Sequence, residues 1–210
     1  YGDHRDLHLS IRRQRQMCIR DSFILDDLLS ESQATDVIEY FKTAHWVYGN
    51  KPDDICPPFW KSTLKHTPIW NIFEDKVHAL WDDVYISSIF ANGQTKGLDS
   101  TPHLDKSSKA ELGVLLGNTV ENIDDYTEYT FIYPVLMEKK WAPSWGGETI
   151  LLTDDEYTGK VFIPKYNRAI VIDGSILHYG KGPSHIYFSM RINVVCRLLM
   201  KKTVFNNINN

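Results

Sequence analysis

Val84-Tyr85-Ile86-Ser87-Ser88-Ile89-Phe90-Ala91, closed by Asn92-Gly93, is where this chain changes its period. Before it, apolar residues recur every three or four positions; from Val84 onward they come in short alternating runs separated by turn residues, the spacing of strands. Downstream the same reading predicts strands over Tyr129–Met137, Glu148–Leu152, Lys160–Ile163, Ala169–Ile172 and Ser189–Leu199. Gly146-Gly147, Asp154-Asp155, Pro164 and Asp173-Gly174 punctuate them. Upstream, Ser30 and Gln33 form a capping box ahead of Ala34, Val37, Ile38 and Phe41, which predicts a helix from Ser30 to about Ala44. A second helix starts at Thr67 with Pro68 in its first position and runs toward Asp83, with Ile69, Ile72, Phe73, Val77, Leu80 and Trp81 on its apolar face. The stretch Trp46–Lys65, with Gly49, Pro52, Pro57 and Pro58, reads as loop. Two helices followed by many short strands define an α+β protein with helices on one face of a β-barrel or sandwich.

The composition bounds this further. With 210 residues, 42% hydrophobic and 12% aromatic, the chain supports one domain with a real core. A net charge of −4 gives no basic surface for nucleic acid. Cys18, Cys56 and Cys196 form neither a disulfide framework nor a C-x-x-C pair, so a reducing, cytoplasmic setting fits. No apolar run approaches the roughly 20 residues that span a bilayer. Tyr1–Ser22 lacks a core-facing period. It reads as a non-native or disordered extension, the alternative being a basic arm for an acidic partner, and residues 23–210 read as the single domain.

The chemistry centres on Pro102-His103-Leu104-Asp105. On extended backbone, residues two apart point to one face, so His103 and Asp105 can present an imidazole nitrogen and a carboxylate oxygen to one point. One further imidazole completes two histidines and one carboxylate on one face of a metal. That set leaves positions open and is the signature of non-haem iron(II) oxygenases. His178, delivered by the apolar run Ala169-Ile170-Val171-Ile172 and the turn Asp173-Gly174, is the best third ligand; His185, in a turn-rich loop, is its competitor. Arg191 stands in the otherwise apolar run Met190-Arg191-Ile192-Asn193-Val194-Val195-Cys196 and calls for an anion, because a guanidinium left unpaired there costs several kcal/mol. Its fork of donors suits a carboxylate.

These segments occur in order with Trp141-Ala142-Pro143-Ser144-Trp145-Gly146-Gly147-Glu148-Thr149 between the two histidines, Pro164-Lys165-Tyr166-Asn167-Arg168 after it, and Gly182-Pro183-Ser184 leading to Arg191. Over about Phe23 to Leu199 the chain resembles the 2-oxoglutarate/iron(II) oxygenase superfamily, and within it the prolyl 4-hydroxylase-like family of environmental and viral type. The resemblance implies a double-stranded β-helix, of jelly-roll or cupin kind, with N-terminal supporting helices. It implies iron(II) held by His103, Asp105 and His178, with 2-oxoglutarate as cosubstrate anchored at Arg191 and ascorbate as a supportive reductant. Family members often carry a small hydroxyl residue where Asn193 stands. They also often carry a tyrosine in the strand containing Thr130-Phe131-Ile132-Tyr133-Pro134, so Tyr133 and Asn193 become the expected further cosubstrate contacts. The implied reaction is hydroxylation of an unactivated C–H bond with release of succinate and CO2. The substrate would be a small molecule or peptide, with a prolyl residue or a free amino acid favoured. A metal-dependent hydrolase on the same ligands and a catalytically inactive cupin-like binding module are the alternatives. Finally, Lys106–Asp125 reads as a long polar insertion starting at the mouth of the site, either a lid or inert.

Overall fold

In the computed structural model, which describes residues 22–51, 54–108, 112–113, 123–153 and 158–201, the capping box is formed as expected. The Ser30 hydroxyl accepts from Gln33 N at 3.2 Å, and the Gln33 side chain accepts from Ser30 N at 3.1 Å. It starts α1 (Glu31–Lys42), whose buried stripe is Ala34, Val37, Ile38 and Phe41. Thr67 caps α2 (Pro68–Leu80) through Trp70 N, and α2 buries Ile69, Phe73 and Val77.

Among the described residues there are ten strands in chain order: β1 (Ser22–Leu25), β2 (Val47–Asn50), β3 (Phe59–Thr63), β4 (Val84–Gln94), β5 (Tyr126–Val135), β6 (Thr149–Leu152), β7 (Gly159–Phe162), β8 (Ala169–Asp173), β9 (His178–Gly180) and β10 (Arg191–Lys201). They form a seven-stranded antiparallel sheet ordered β1-β8-β5-β10-β4-β3-β2 and a three-stranded sheet ordered β7-β6-β9. This is a double-stranded β-helix. Both helices cover the outer face of the large sheet. There Phe73 meets Phe131 and Tyr133 edge-on, at centroid separations of 6.2 and 5.2 Å, above Val194 and Cys196. A smaller cluster, Ile132, Leu151, Ile170 and Ile172, lies apart from that core and draws on both sheets.

β4 carries a feature that aims the site. Its register with β10 shifts between Arg197 and Leu198, so Ser87 is an extra residue opposite an unbroken partner. Val84 and Ile86 face the helices before this bulge, and Ile89 and Ala91 face them after it. The bulge therefore restores the inward parity that the three-residue step from Ile86 to Ile89 would break.

Three expectations need correction. The 46–65 stretch is not all loop: it holds β2 and β3, which continue the large sheet beyond β4. These strands are short, and β2 is mostly exposed, so neither carries an alternating apolar signal. Second, Ser22, the last residue of the segment set apart, is the first residue of β1 and pairs with β8. Residues 1–21 lie outside the described residues. Third, His103 is not on a regular strand; an isolated bridge to His178 holds it. Most of the 106–125 insertion also lies outside the described residues.

Candidate metal centre

His103 and His178 are joined by two main-chain hydrogen bonds, His103 N to His178 O at 2.9 Å and His178 N to His103 O at 3.0 Å. The bridge extends the small sheet by one residue pair and sets the imidazoles side by side, ring centroids 4.7 Å apart. Each ring is oriented the same way. His103 Nδ1 lies 2.8 Å from the Thr101 carbonyl oxygen, and His178 Nδ1 lies 2.8 Å from that of Ile176. A carbonyl only accepts, so Nδ1 carries the proton in both rings and Nε2 is left with a bare lone pair. The Asp105 carboxylate faces both: Oδ2 is 3.3 Å from His178 Nε2 and Oδ1 is 3.8 Å from His103 Nε2. Ligands near 2.1 Å from one ion at right angles stand about 3 Å apart, so this spacing fits a shared first-row metal. Among the described residues these three side chains are a cluster of metal-ligating groups converging within 4.8 Å.

Asp105 is held from behind. Thr130 Oγ1 donates to Oδ2 at 2.6 Å, and Arg197 pairs with Oδ1. Burial opposes its ionisation, yet the neighbouring His178, Arg197 and the Thr130 hydroxyl outweigh burial and keep the carboxyl well below its usual range. Its main chain needs Gly174: Asp105 N donates to Gly174 O at 2.9 Å, and a Cβ at position 174 would stand 2.6 Å from the Asp105 carbonyl oxygen. The Asp173-Gly174 turn is therefore required by close approach of this backbone.

These three side chains open onto a cavity of about 330 Å³. Its floor is the inner face of the large sheet, read along β10 as Arg191, Asn193, Val195 and Arg197. In register beside them stand Gln94, Asn92 and Phe90 on β4 and Ile132 and Thr130 on β5. Arg191, only 4% exposed, lies on this floor away from Arg197. Its Nε donates to Gly147 O at 2.6 Å, Nη2 to Thr149 Oγ1 at 2.9 Å, and Nη1 to Gln94 Oε1. With its amide oxygen turned to the guanidinium, Asn193 accepts from Nη1 and Nη2 at 2.8 and 3.0 Å. Every one of these partners is neutral, and among the described residues no carboxylate stands within ion-pair distance of Arg191. Burial pulls its pKa down to about 10, with Glu148 acting weakly against that. Gly147, at φ 79°, is the residue whose missing side chain lets the arginine lie against the Trp-Gly-Gly-Glu-Thr turn; a Cβ there would sit 3.1 Å from Arg191 Cδ.

Tyr133 is corrected. Thr130 and Ile132 line the cavity, so the two-residue repeat turns Tyr133 to the opposite face, where it is 2% exposed against Phe73. Burial raises its pKa. His185 is exposed in a turn and is not part of the converging group of His103, Asp105 and His178. Sequence reasoning missed Gln94, Thr149, Thr130 and Arg197. The first two carried no local signal, whereas strand alternation from Arg191 through Asn193 and Val195 reaches Arg197.

No model of a known protein family matches this chain, and no curated protein matches it. Solved structures do. Together with the two-sheet topology they show that the chain has the fold of the 2-oxoglutarate/iron(II) oxygenases. One is a prolyl hydroxylase from Trichoplax adhaerens in complex with a peptide fragment of a hypoxia-inducible factor oxygen degradation domain. It is 13% identical, with 100% of this chain and 98% of that one covered at a TM-score of 0.59. Another is an oxidoreductase of the 2-oxoglutarate/iron(II) oxygenase family from Burkholderia pseudomallei, 12% identical, with coverage of 94% and 93% at 0.54. A third is the non-haem α-ketoglutarate-dependent epimerase of nogalamycin biosynthesis, 10% identical, with coverage of 93% and 84% at 0.59.

Proposed function

We propose that this chain is an iron(II)- and 2-oxoglutarate-dependent dioxygenase that hydroxylates an unactivated C–H bond. One observation carries the reading. A single cavity holds a facial set of two bare imidazole Nε2 atoms and a carboxylate, and on its floor a buried guanidinium surrounded only by neutral acceptors. The donor set fits iron(II): two neutral nitrogens and one oxygen, with the open cavity before them. His103, Asp105 and His178 would hold the ion. Arg191 would take the far carboxylate of 2-oxoglutarate in its fork, with Asn193 and Thr149 bracing the guanidinium. When bound, iron supplies the activation of O2 coupled to oxidative decarboxylation, and the balance is R–H + O2 + 2-oxoglutarate → R–OH + succinate + CO2.

The protein's own part is orientation and exclusion of water. The Thr101 and Ile176 carbonyls fix both imidazole tautomers. Phe90, Ile132 and Val195 make an apolar floor between the cation and the ligands. A hydrolase on the same ligands has no use for an uncompensated buried cation there, so Arg191 favours the oxygenase. The buried thiol of Cys196, outside any disulfide, favours a reducing, cytoplasmic setting, and no helix among the described residues is long and apolar enough to cross a membrane. Residues 23–210 form the oxygenase domain in this reading.

The substrate class we favour is an amino-acid side chain, a prolyl residue in a peptide or a free amino acid. The peptide-bound Trichoplax adhaerens hydroxylase supports it, while the epimerase on the same fold shows that the fold alone does not choose the reaction. The test is succinate formation with iron(II), 2-oxoglutarate and ascorbate, followed by a mass-spectrometric screen of peptides and amino acids for a gain of one oxygen. Succinate formation that survives Asp105→Ala would overturn the reading.

A further inference from the structure

We propose that Arg197 is a positioning residue for the metal site, holding Asp105 as a pre-aimed ligand from outside the coordination sphere; this rests on reading His103, Asp105 and His178 as metal ligands. Three observations carry it. First, the contact is double: Nη1 pairs with the Asp105 carboxylate at Oδ1, and Nη2 donates to the Asp105 main-chain carbonyl. One rigid planar group thus fixes both the side chain and the backbone of a single residue, which a point charge on a flexible stem cannot do. With Thr130 on Oδ2 and Arg197 on Oδ1, rotation of the carboxylate is locked while it faces both imidazoles.

Second, the fold spends an irregularity on this arginine. The β4 bulge sits where β10 passes Arg197, and the extra residue Ser87 donates through its hydroxyl to the Arg197 carbonyl at 3.1 Å. The bulged residue thereby ties the β10 backbone at Arg197 to β4 through a side-chain hydrogen bond.

Third, the arginine is not consumed by another acid. Glu128 Oε1 is 3.9 Å from Nη2, but that carboxylate is engaged by Ser107 N and Ser107 Oγ at 2.5 and 2.7 Å. Glu128 thereby pins the chain just after Asp105 and leaves the Arg197 fork to Asp105.

Positioning and simple charge predict opposite signs. A cation beside a metal site repels the metal, so if Arg197 acted only through charge, its removal would tighten metal binding and Arg197→Lys would change nothing. If it positions Asp105, both Arg197→Met and Arg197→Lys weaken binding, because both lose the fork.

The experiment titrates metal-free full-length protein with Co(II) anaerobically, reading calorimetric affinity and the visible d–d spectrum. Thermal melting of the metal-free forms identifies variants that still fold. We expect both variants to lose at least about tenfold in Co(II) affinity, about 1.4 kcal/mol, with a changed d–d spectrum. We also expect 2-oxoglutarate affinity of the Co(II)-saturated protein to hold, since Arg191 is untouched. A merely structural role would lower the melting temperature while leaving affinity and spectrum alone. Unchanged or tighter Co(II) binding in Arg197→Lys, the variant more certain to fold, overturns the proposal while wild-type binding stands. Failure of the wild-type protein to bind Co(II) overturns the metal reading and this proposal together.

Discussion

Replacing Arg191 with lysine tests the cosubstrate anchor more sharply than deleting it, because lysine keeps the charge and removes the geometry. In the structure the guanidinium makes five contacts to four acceptors: Gly147 O, Gln94 Oε1, Thr149 Oγ1 and, twice, the Asn193 side-chain oxygen. A bound carboxylate would take the place of the Asn193 oxygen at the fork formed by the Nη atoms. An ammonium offers one centre and cannot serve the acceptors and the ligand together. Loss of one charge-assisted hydrogen bond costs about 1.5–3 kcal/mol. At about 1.4 kcal/mol per decade this becomes roughly a ten- to hundredfold weaker hold on 2-oxoglutarate. The assay is calorimetric binding of 2-oxoglutarate to Mn(II)-loaded protein, paired with the KM for 2-oxoglutarate in succinate formation. Mn(II) affinity itself should not move, because Arg191 touches none of the three ligands. Unchanged 2-oxoglutarate binding in Arg191→Lys would refute the reasoning and place the anchor elsewhere.

Tyr133→Phe should leave the 2-oxoglutarate requirement unchanged, since the ring lies on the helix side of the sheet; a raised KM would reverse that placement. His178→Ala should abolish Co(II) binding while His185→Ala retains it, and calorimetry separates the two. Asn167 clamps Leu29 through Leu29 N to Oδ1 at 2.9 Å and Nδ2 to Leu29 O at 2.8 Å, while holding φ 54°. Asn167→Ala would strand both buried groups at a cost of about 3 kcal/mol, lowering the unfolding midpoint by about 6–12 °C; a melt within about a degree of wild type would show that the clamp contributes nothing. With its pKa pulled down to about 10, Arg191 remains charged at neutral pH. Its hold on 2-oxoglutarate should stay flat as pH rises from about 6 to about 8.5 and weaken only near 10, which binding at several pH values checks.

Local signals carried the helices and the pairing of His103 with Asp105. A capping box and a 3.6-residue stripe specify α1 through contacts within four residues of each other, so Ser30, Gln33, Val37 and Phe41 could be read without any partner. His103 and Asp105 could be paired for the same reason: a two-residue repeat puts neighbours on one face whatever the rest of the chain does. Even the β4 bulge left a trace, the three-residue step from Ile86 to Ile89. Tyr133 shows where this ends. Alternation says that Ile132 and Tyr133 face opposite ways, but which of them meets the cavity depends on where the helices dock and how β5 registers with β10. The same holds for β2 and β3, whose short runs become strands only because β4 offers an edge to pair with. It holds equally for Gln94 and Thr149 around Arg191 and for Arg197 on Asp105, contacts between residues 42 to 97 positions apart in the chain. Backbone periodicity is set by neighbouring residues and can be read from them; cross-strand register and the docking of one sheet on another are set by pairings distant in sequence, and only the folded chain decides them.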